Sequence, residues 1–232
     1  MEEIIPGALY LVSTPIGNLG DVTYRAVHIL KNVHLIAAED TRKTSILLQK
    51  YEIAKSLFPY HSYNQKQQTP KLITMLKNRL AIALVSEAGT PGISDPAYAL
   101  VRACVYDKIP IVPIPGASAF LSALVVSGLP THRFVFEGFL PQKKGRKTRI
   151  SELTGETRTI VLYESPHRIT KTIPELYEAL GDRPCAMARE LTKKFEEIYY
   201  GSLSDLSEFI KRKKSRGEYV LVIAGKDLKF FG

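Results

Sequence analysis

Several short stretches bring carboxylates and cations together at spacings that could do chemistry. Glu39-Asp40-Thr41-Arg42 sets two carboxylates beside a guanidinium at the end of an apolar run. Glu164-Ser165-Pro166-His167-Arg168 repeats the combination in the second half of the chain. Arg189-Glu190-Leu191-Thr192-Lys193-Lys194-Phe195-Glu196-Glu197 is denser in charge than a turn between strands requires. A carboxylate beside a fixed cation can accept a proton from a hydroxyl while the cation holds an anionic substrate. Ser165 can cap a helix, but capping explains neither Glu164 nor His167 nor Arg168. Lys143, Lys144, Arg146, Lys147 and Arg149 crowd five positive charges behind an aromatic strand, a pattern suited to phosphates. Lys211, Arg212, Lys213, Lys214 and Arg216 form a second basic run, which also reads as cations closing a helix C-terminus.

Val85–Pro96 is different in kind, with two glycines, two prolines and three small hydroxyl residues. It joins an apolar run to a helix that Asp95 and Pro96 can open. Such a connection usually needs about two to six residues. A longer one built of small residues bares backbone N–H groups and lets a ligand approach closely. The five histidines show no metal-ligand spacing, and Cys104 and Cys185 are too few for a metal cluster or a disulfide framework. Neither Gly-x-Gly-x-x-Gly nor Gly-x-x-x-x-Gly-Lys-[Ser/Thr] occurs, so ordinary nicotinamide and P-loop nucleotide sites are unsupported. No metal site is expected.

The elements that must position these residues follow from the apolar pattern. Strands are expected at Leu9–Ser13, Val33–Ala38, Ser56–Tyr60, Leu80–Val85 and Pro110–Ile114. Helices are expected at Val22–Leu30, Thr44–Lys50, Pro70–Arg79 and Ala97–Val105. Strands alternating with helices predict a mostly parallel α/β sheet, whose ligands gather outside the carboxyl ends of its strands. After a helix of small residues at Ala119–Val126, strands are expected at Phe134–Phe139, Thr159–Tyr163, Cys185–Leu191, Glu197–Gly201 and Glu218–Ala224. Helical stretches are expected at Lys143–Leu153, Ile169–Leu180 and Ser204–Lys213. This half predicts a mixed sheet, and the pattern divides the chain into α/β domains at 1–116 and 117–232.

The composition agrees with a globular α/β protein: 232 residues, 45% hydrophobic and 24% charged. A formal net charge of +9 favours a polyanionic partner, nucleic acid above all. Met1-Glu2-Glu3-Ile4-Ile5-Pro6 is acidic and lacks the apolar core of a signal peptide. No apolar run reaches the ~18 residues that span a bilayer. No membrane association and a cytoplasmic location are expected.

Eight motifs in this order resemble one family. They are Thr14-Pro15-Ile16-Gly17-Asn18-Leu19, Ala38-Glu39-Asp40-Thr41-Arg42, Ser86–Pro96, Pro113–Ala119, Phe136–Pro141, Tyr163–Arg168, Ala188–Glu197 and Gly217–Val222. The family is that of the small-subunit (16S) ribosomal RNA ribose 2′-O-methyltransferases that modify a decoding-region cytidine, the RNA-directed branch of the tetrapyrrole methylases. Glu87 and Ala97 depart from its pattern, which usually has aspartate and often glycine there. The resemblance implies two α/β domains with S-adenosylmethionine in the cleft between them, a homodimer, and small-subunit ribosomal RNA in the 30S particle as substrate. Carried over residue by residue, it implies cofactor contacts from Pro15, Ile16, Glu87, Ala88, Gly89, Ser118, Ala119, Tyr163, Glu164 and Met187. Methyl transfer to a ribose hydroxyl needs a proton acceptor. The candidates are Asp40 and Glu190, with Arg42 and Lys193 on phosphates; Glu164 with Arg168 is a further pair. RNA contacts are expected from Lys143, Lys144, Arg146, Lys147, Arg149 and Arg168. Two rivals stay open: a methylase of a small precorrin-like tetrapyrrole on the same fold, and a non-enzymatic RNA-binding module.

Overall fold

The computed structural model describes residues 3–213 and 215–228. Two compact units result, one running to Ser118 and the other starting at Ala119.

The first unit is built on five strands, β1 (Leu9–Val12), β2 (Leu35–Ala38), β3 (Leu57–Pro59), β4 (Ile82–Val85) and β5 (Ile111–Ile114). They lie in the order β3-β2-β4-β1-β5, and every pairing is parallel. Successive side chains leave a strand on opposite faces, so a sheet covered on both sides needs apolar residues at every position. That is why these strands read as continuous apolar runs. Tyr10, Ile36, Ala83 and Val85 pack on one face, in the same cluster as Ile29 and Leu30 of α1 (Tyr24–Asn32) and Leu47 and Leu48 of α2 (Thr41–Lys50). Leu9, Ala37, Ile82 and Leu84 pack on the other, with Leu72 and Leu76 of α3 (Gln65–Lys77) and Leu100 and Cys104 of α4 (Ala97–Tyr106).

The second unit has β6 (Phe134–Phe139), β7 (Thr159–Glu164), β8 (Pro184–Arg189), β9 (Glu197–Ser202) and β10 (Tyr219–Ile223). Their order is β6-β7-β10-β8-β9; β6 and β7 run parallel and the remaining pairs are antiparallel, so the sheet is mixed as expected. The helix α5 (Ala119–Val126) covers one face through Ala123 and Leu124, against Val161, Ala186 and Val220. On the other face α6 (Arg146–Glu152), α7 (Ile169–Leu180) and α8 (Leu203–Lys211) enclose Ile160, Leu162, Met187 and Leu221.

Helix starts differ from the sequence expectation where a cap decides them. Thr23 accepts the Ala26 N–H and starts α1 at Tyr24 rather than Val22. Asp40 caps α2, which starts at Thr41, three residues before the expected Thr44. Ser202 and Asp205 form a reciprocal capping box that opens α8. Gly145, in the left-handed conformation at φ 82°, delays α6 until Arg146, so Lys143 and Lys144 lie ahead of the helix. Pro70, expected to open α3, sits inside a helix that begins at Gln65. No helix among the described residues is long and apolar enough to cross a membrane.

Candidate active site

At the carboxyl ends of β1, β4 and β5 the loops are laced together by small residues. The Thr14 N–H donates to Gly89 O at 2.9 Å, and the Gly89 N–H donates back to Thr14 O at 3.0 Å. The Ser13 hydroxyl donates to Thr90 Oγ1 at 3.0 Å, and the Thr90 hydroxyl donates to Ala117 O at 3.1 Å. Two glycines permit this. Gly89 has φ +79°, and a Cβ there would stand 3.2 Å from Ile16 Cγ2. A Cβ on Gly116 would stand 2.8 Å from Ser13 Cβ. Pro15, Ile16, Ala88, Gly89 and Ser118 are thereby carried by one platform of mostly backbone atoms. One polar atom in it is left over: Thr14 Oγ1 is buried and has no hydrogen-bond partner. A buried hydroxyl without a partner costs about 1–3 kcal/mol, which a polar ligand would recover. Glu87 extends from the platform to an ion pair with Lys43 of α2.

Beside it, after β2, the two neighbouring carboxylates are tuned in opposite directions. Asp40 accepts the Arg42 and Lys43 N–H groups at 2.9 and 3.4 Å and pairs with the Arg42 guanidinium at 3.0 Å. The Arg42 side chain and the amides hold the Asp40 carboxyl down at about 2. Glu39 is raised, chiefly by burial and also by the charges of Asp95, Glu87 and Asp40, although it accepts the Glu87 N–H at 3.1 Å. Of the pair, the fold makes Glu39 the stronger base. In the sequence Glu39 stands in the cluster but not among the proton acceptors, because its basicity comes from burial and from the charges of Glu87 and Asp95, which are distant in the chain.

In the second unit, Glu190 accepts from Lys193 Nζ at 2.9 Å and from the Glu218 N–H at 3.0 Å, and Lys193 Nζ also donates to Glu218 at 2.9 Å. Burial pushes the Glu190 carboxyl up, but Lys193 and the Glu218 amide outweigh it and leave it lowered. Burial likewise lowers Lys193, yet the two carboxylates carry it above the usual range, so it is a firm cation. Glu190 and Thr192 both take positive φ, 51° and 64°, and the Glu190 side chain lies over Gly217, where a Cβ would come within 2.4 Å. Non-glycine residues held this way cost on the order of 1–3 kcal/mol each and gather at functional sites.

Several expected contacts are corrected by burial. Glu164 is 1% exposed; its Oε1 accepts from the Ser165 N–H and Arg168, and its Oε2 from the Thr172 hydroxyl. This fully bonded carboxylate is an internal anchor and has no oxygen free for a cofactor. Met187 is also closed, its side chain in the core beneath α6–α8 and on the face of the sheet opposite Tyr163. Tyr163 lies on the α5 face and accepts the Phe120 N–H at 3.2 Å, next to Ala119. Arg146 was expected on phosphates, but it is buried, donating to Glu175, Thr172 and Pro141 O. Arg168 is committed to Glu164 and Leu140 O, and Arg149 to Glu137 and Glu152. Lys143, Lys144 and Lys147 remain exposed and unpaired with carboxylates among the described residues. In the second basic run Lys211 pairs with Glu208 and Lys213 with Glu197, while Lys214 lies outside the described residues. No group of three metal-ligating side chains occurs among the described residues.

The family model for tetrapyrrole (corrin/porphyrin) methylases matches residues 8–207. The chain is 50% identical over 221 residues to the ribosomal RNA small subunit methyltransferase I of Synechocystis sp., covering 94% of this chain and 79% of that one. It is 44% identical over 221 residues to the protein of the same name from Thermotoga maritima, covering 95% and 100%. Among solved structures it resembles the uroporphyrin-III C-methyltransferase of Thermus thermophilus complexed with S-adenyl homocysteine. The TM-score there is 0.65 at 18% identity, covering 93% of this chain and 96% of that one.

Proposed function

This chain belongs to the tetrapyrrole methylase family, and on that premise we propose that it is an S-adenosylmethionine-dependent enzyme that methylates the 2′-hydroxyl of a cytidine ribose in small-subunit ribosomal RNA. The observation that carries the reading is 50% identity along nearly the whole chain to a relative named for that RNA. The likeness to the tetrapyrrole enzyme, at 18% identity, speaks for the fold alone. The reading extends to the 30S subunit as substrate, a homodimer as the working form and the cytoplasm as the location.

The residues present fit the cofactor. A platform of backbone atoms and small side chains admits a flat, polar molecule closely, and the spare Thr14 hydroxyl offers it a partner. Pro15, Ile16, Ala88, Gly89 and Ser118 would hold it. Ala119 and Tyr163 are further contacts that the family resemblance implies. When bound, S-adenosylmethionine supplies a methyl group on a sulfonium, a good leaving group. What remains for the protein is to align the ribose hydroxyl and take its proton.

Glu39 is the carboxylate assigned to that proton. Asp40, at about 2, has little affinity for it and instead caps α2 and holds Arg42. Arg42, with 89% of its side chain exposed, and Lys193 are cations assigned to phosphates.

Mapping ribose methylation in ribosomal RNA from cells lacking the protein tests the activity: one decoding-region cytidine should lose its methyl group. A purified protein that binds RNA but gives no heat with S-adenosylmethionine in calorimetry would instead be a binding module. For the base, Glu39→Gln is expected to lower kcat by about a hundredfold or more. Wild-type kcat should rise with pH through the raised Glu39 pKa, since the ionised form acts, and Glu39→Gln should abolish that rise. Asp40→Asn, which can still cap, should cost much less. Equal losses would return Asp40 to the role.

A further inference from the structure

Beside β6 lies an open depression of about 390 Å³, walled by Glu137, Phe139, Leu140, Pro141 and Arg149. That volume falls within the roughly 300–1,000 Å³ of small-molecule sites. Its aromatic wall has a specific cause. Phe134 and Phe136 pair with Thr159 and Val161, but the register then shifts, so that Gly138 pairs with Leu162 and Phe139 with Tyr163. Gly138 takes φ +59° at this bulge. The extra residue brings Phe139 onto the same face as Phe134 and Phe136, where simple alternation would turn it away. Phe136 is spent on internal packing, 4.6 Å from Phe120 and 5.0 Å from Tyr163 between ring centroids. Phe139 braces one side on Tyr163 at 5.5 Å and remains 52% exposed.

The charge around it is one-sided. Arg149 pairs with the carboxylates of both Glu137 and Glu152, which leaves one net negative charge against three lysines. Lys143, Lys144 and Lys147, just along the chain, are exposed and unpaired among the described residues. An aromatic ring presented beside uncompensated cations is how proteins hold unpaired bases while tracking the backbone.

We propose that this depression is a nucleotide subsite, in which Phe139 stacks on an unpaired base of the RNA substrate while Lys143, Lys144 and Lys147 hold the flanking phosphates. The inference rests on the RNA-methylating reading and adds to it where the strand is gripped. An acidic peptide would use the same lysines but leave the ring idle.

The chain contains no tryptophan, so Phe139→Trp creates a single emitter at the site. Oligocytidylate should quench it saturably. Polyglutamate should not, and neither ligand should quench Tyr106→Trp, placed at an exposed position on α4. Equal quenching by polyglutamate, or none by oligocytidylate, overturns the proposal. With small ribosomal subunits as substrate, Phe139→Ala should raise the KM for RNA roughly tenfold and leave that for S-adenosylmethionine unchanged. Phe139→Leu, which keeps the apolar bulk against Tyr163, should fold as the wild type and still show the RNA defect; an unchanged KM for RNA in both variants overturns stacking. A wild-type protein inactive on those subunits would sink the methyltransferase reading, while the quenching result would still decide the subsite.

Discussion

Glu164 joins two guanidiniums into one buried chain. Arg146 donates to the Thr172 hydroxyl at 2.7 Å, Thr172 donates to Glu164 at 2.6 Å, and Arg168 reaches Glu164 from the other side at 2.8 Å. Arg168 also ties down Leu140 O, and Arg146 ties down Pro141 O, so the loop after β6 is fixed by this network. Removing the anion strands the part-buried Arg168 guanidinium while Arg146 keeps Glu175, so the cost is about 2–3 kcal/mol, below the ~3–5 kcal/mol typical of a fully buried pair. Glu164→Ala should therefore lower unfolding stability by that order in urea titration, and Glu164→Gln by less, because an amide can still bond Thr172. If Glu164 instead served mainly as a cofactor contact, Glu164→Ala would lower affinity with stability intact. The residues Glu164 and Arg168 stood out in the sequence; their roles did not, since Thr172, Arg146 and Leu140 are distant in the chain and give no local signal.

Elements place the platform through their ends. The interiors of β1, β4 and β5 were legible as apolar runs, because a sheet buried on both faces leaves no other choice. Their carboxyl ends were legible only as small-residue loops. Which small residue touches which was not, because that depends on β1 lying between β4 and β5. Gly116 is the sharpest case: a methyl group there would meet the Ser13 side chain at 2.8 Å. Gly116→Ala should push the β5 end away from β1, with about 1–3 kcal/mol lost in thermal unfolding. Affinity for S-adenosylmethionine by calorimetry should fall with it. Unchanged affinity would show that the platform tolerates separation and would weaken its assignment. The same logic holds at β6, where one glycine at a bulge, invisible to a period-two reading, decides which way Phe139 faces.

Over the whole molecule, the count of 32 lysines and arginines overstates what is free to meet a polyanion. Arg146, Arg149, Arg168, Lys193, Lys211 and Lys213 are each within reach of a carboxylate of the protein itself. Lys143, Lys144 and Lys147 are not, among the described residues, and counterion release should register them. For single strands the slope of log K against log salt steepens by about 0.7 per phosphate engaged. Replacing all three lysines by alanine should flatten the measured slope for RNA by about 2. Replacing Arg146, which is buried and paired, should instead harm stability. A slope indifferent to the three lysines would move the RNA contact elsewhere.

The sequence by itself determined the two sheets, their parallel and mixed character, and the loops from which a site could be built. Each of these follows from local periodicity and from residues fit for turns. It also marked the charged clusters, because composition is local too. Only the tertiary structure decided which charges are spent inside the protein, that Glu39 rather than Asp40 is made basic, and that Phe139 faces outward. Burial and partnership are set by residues far apart in the chain, and a side chain's pKa, solvation and reach are properties of those neighbours rather than of its own type.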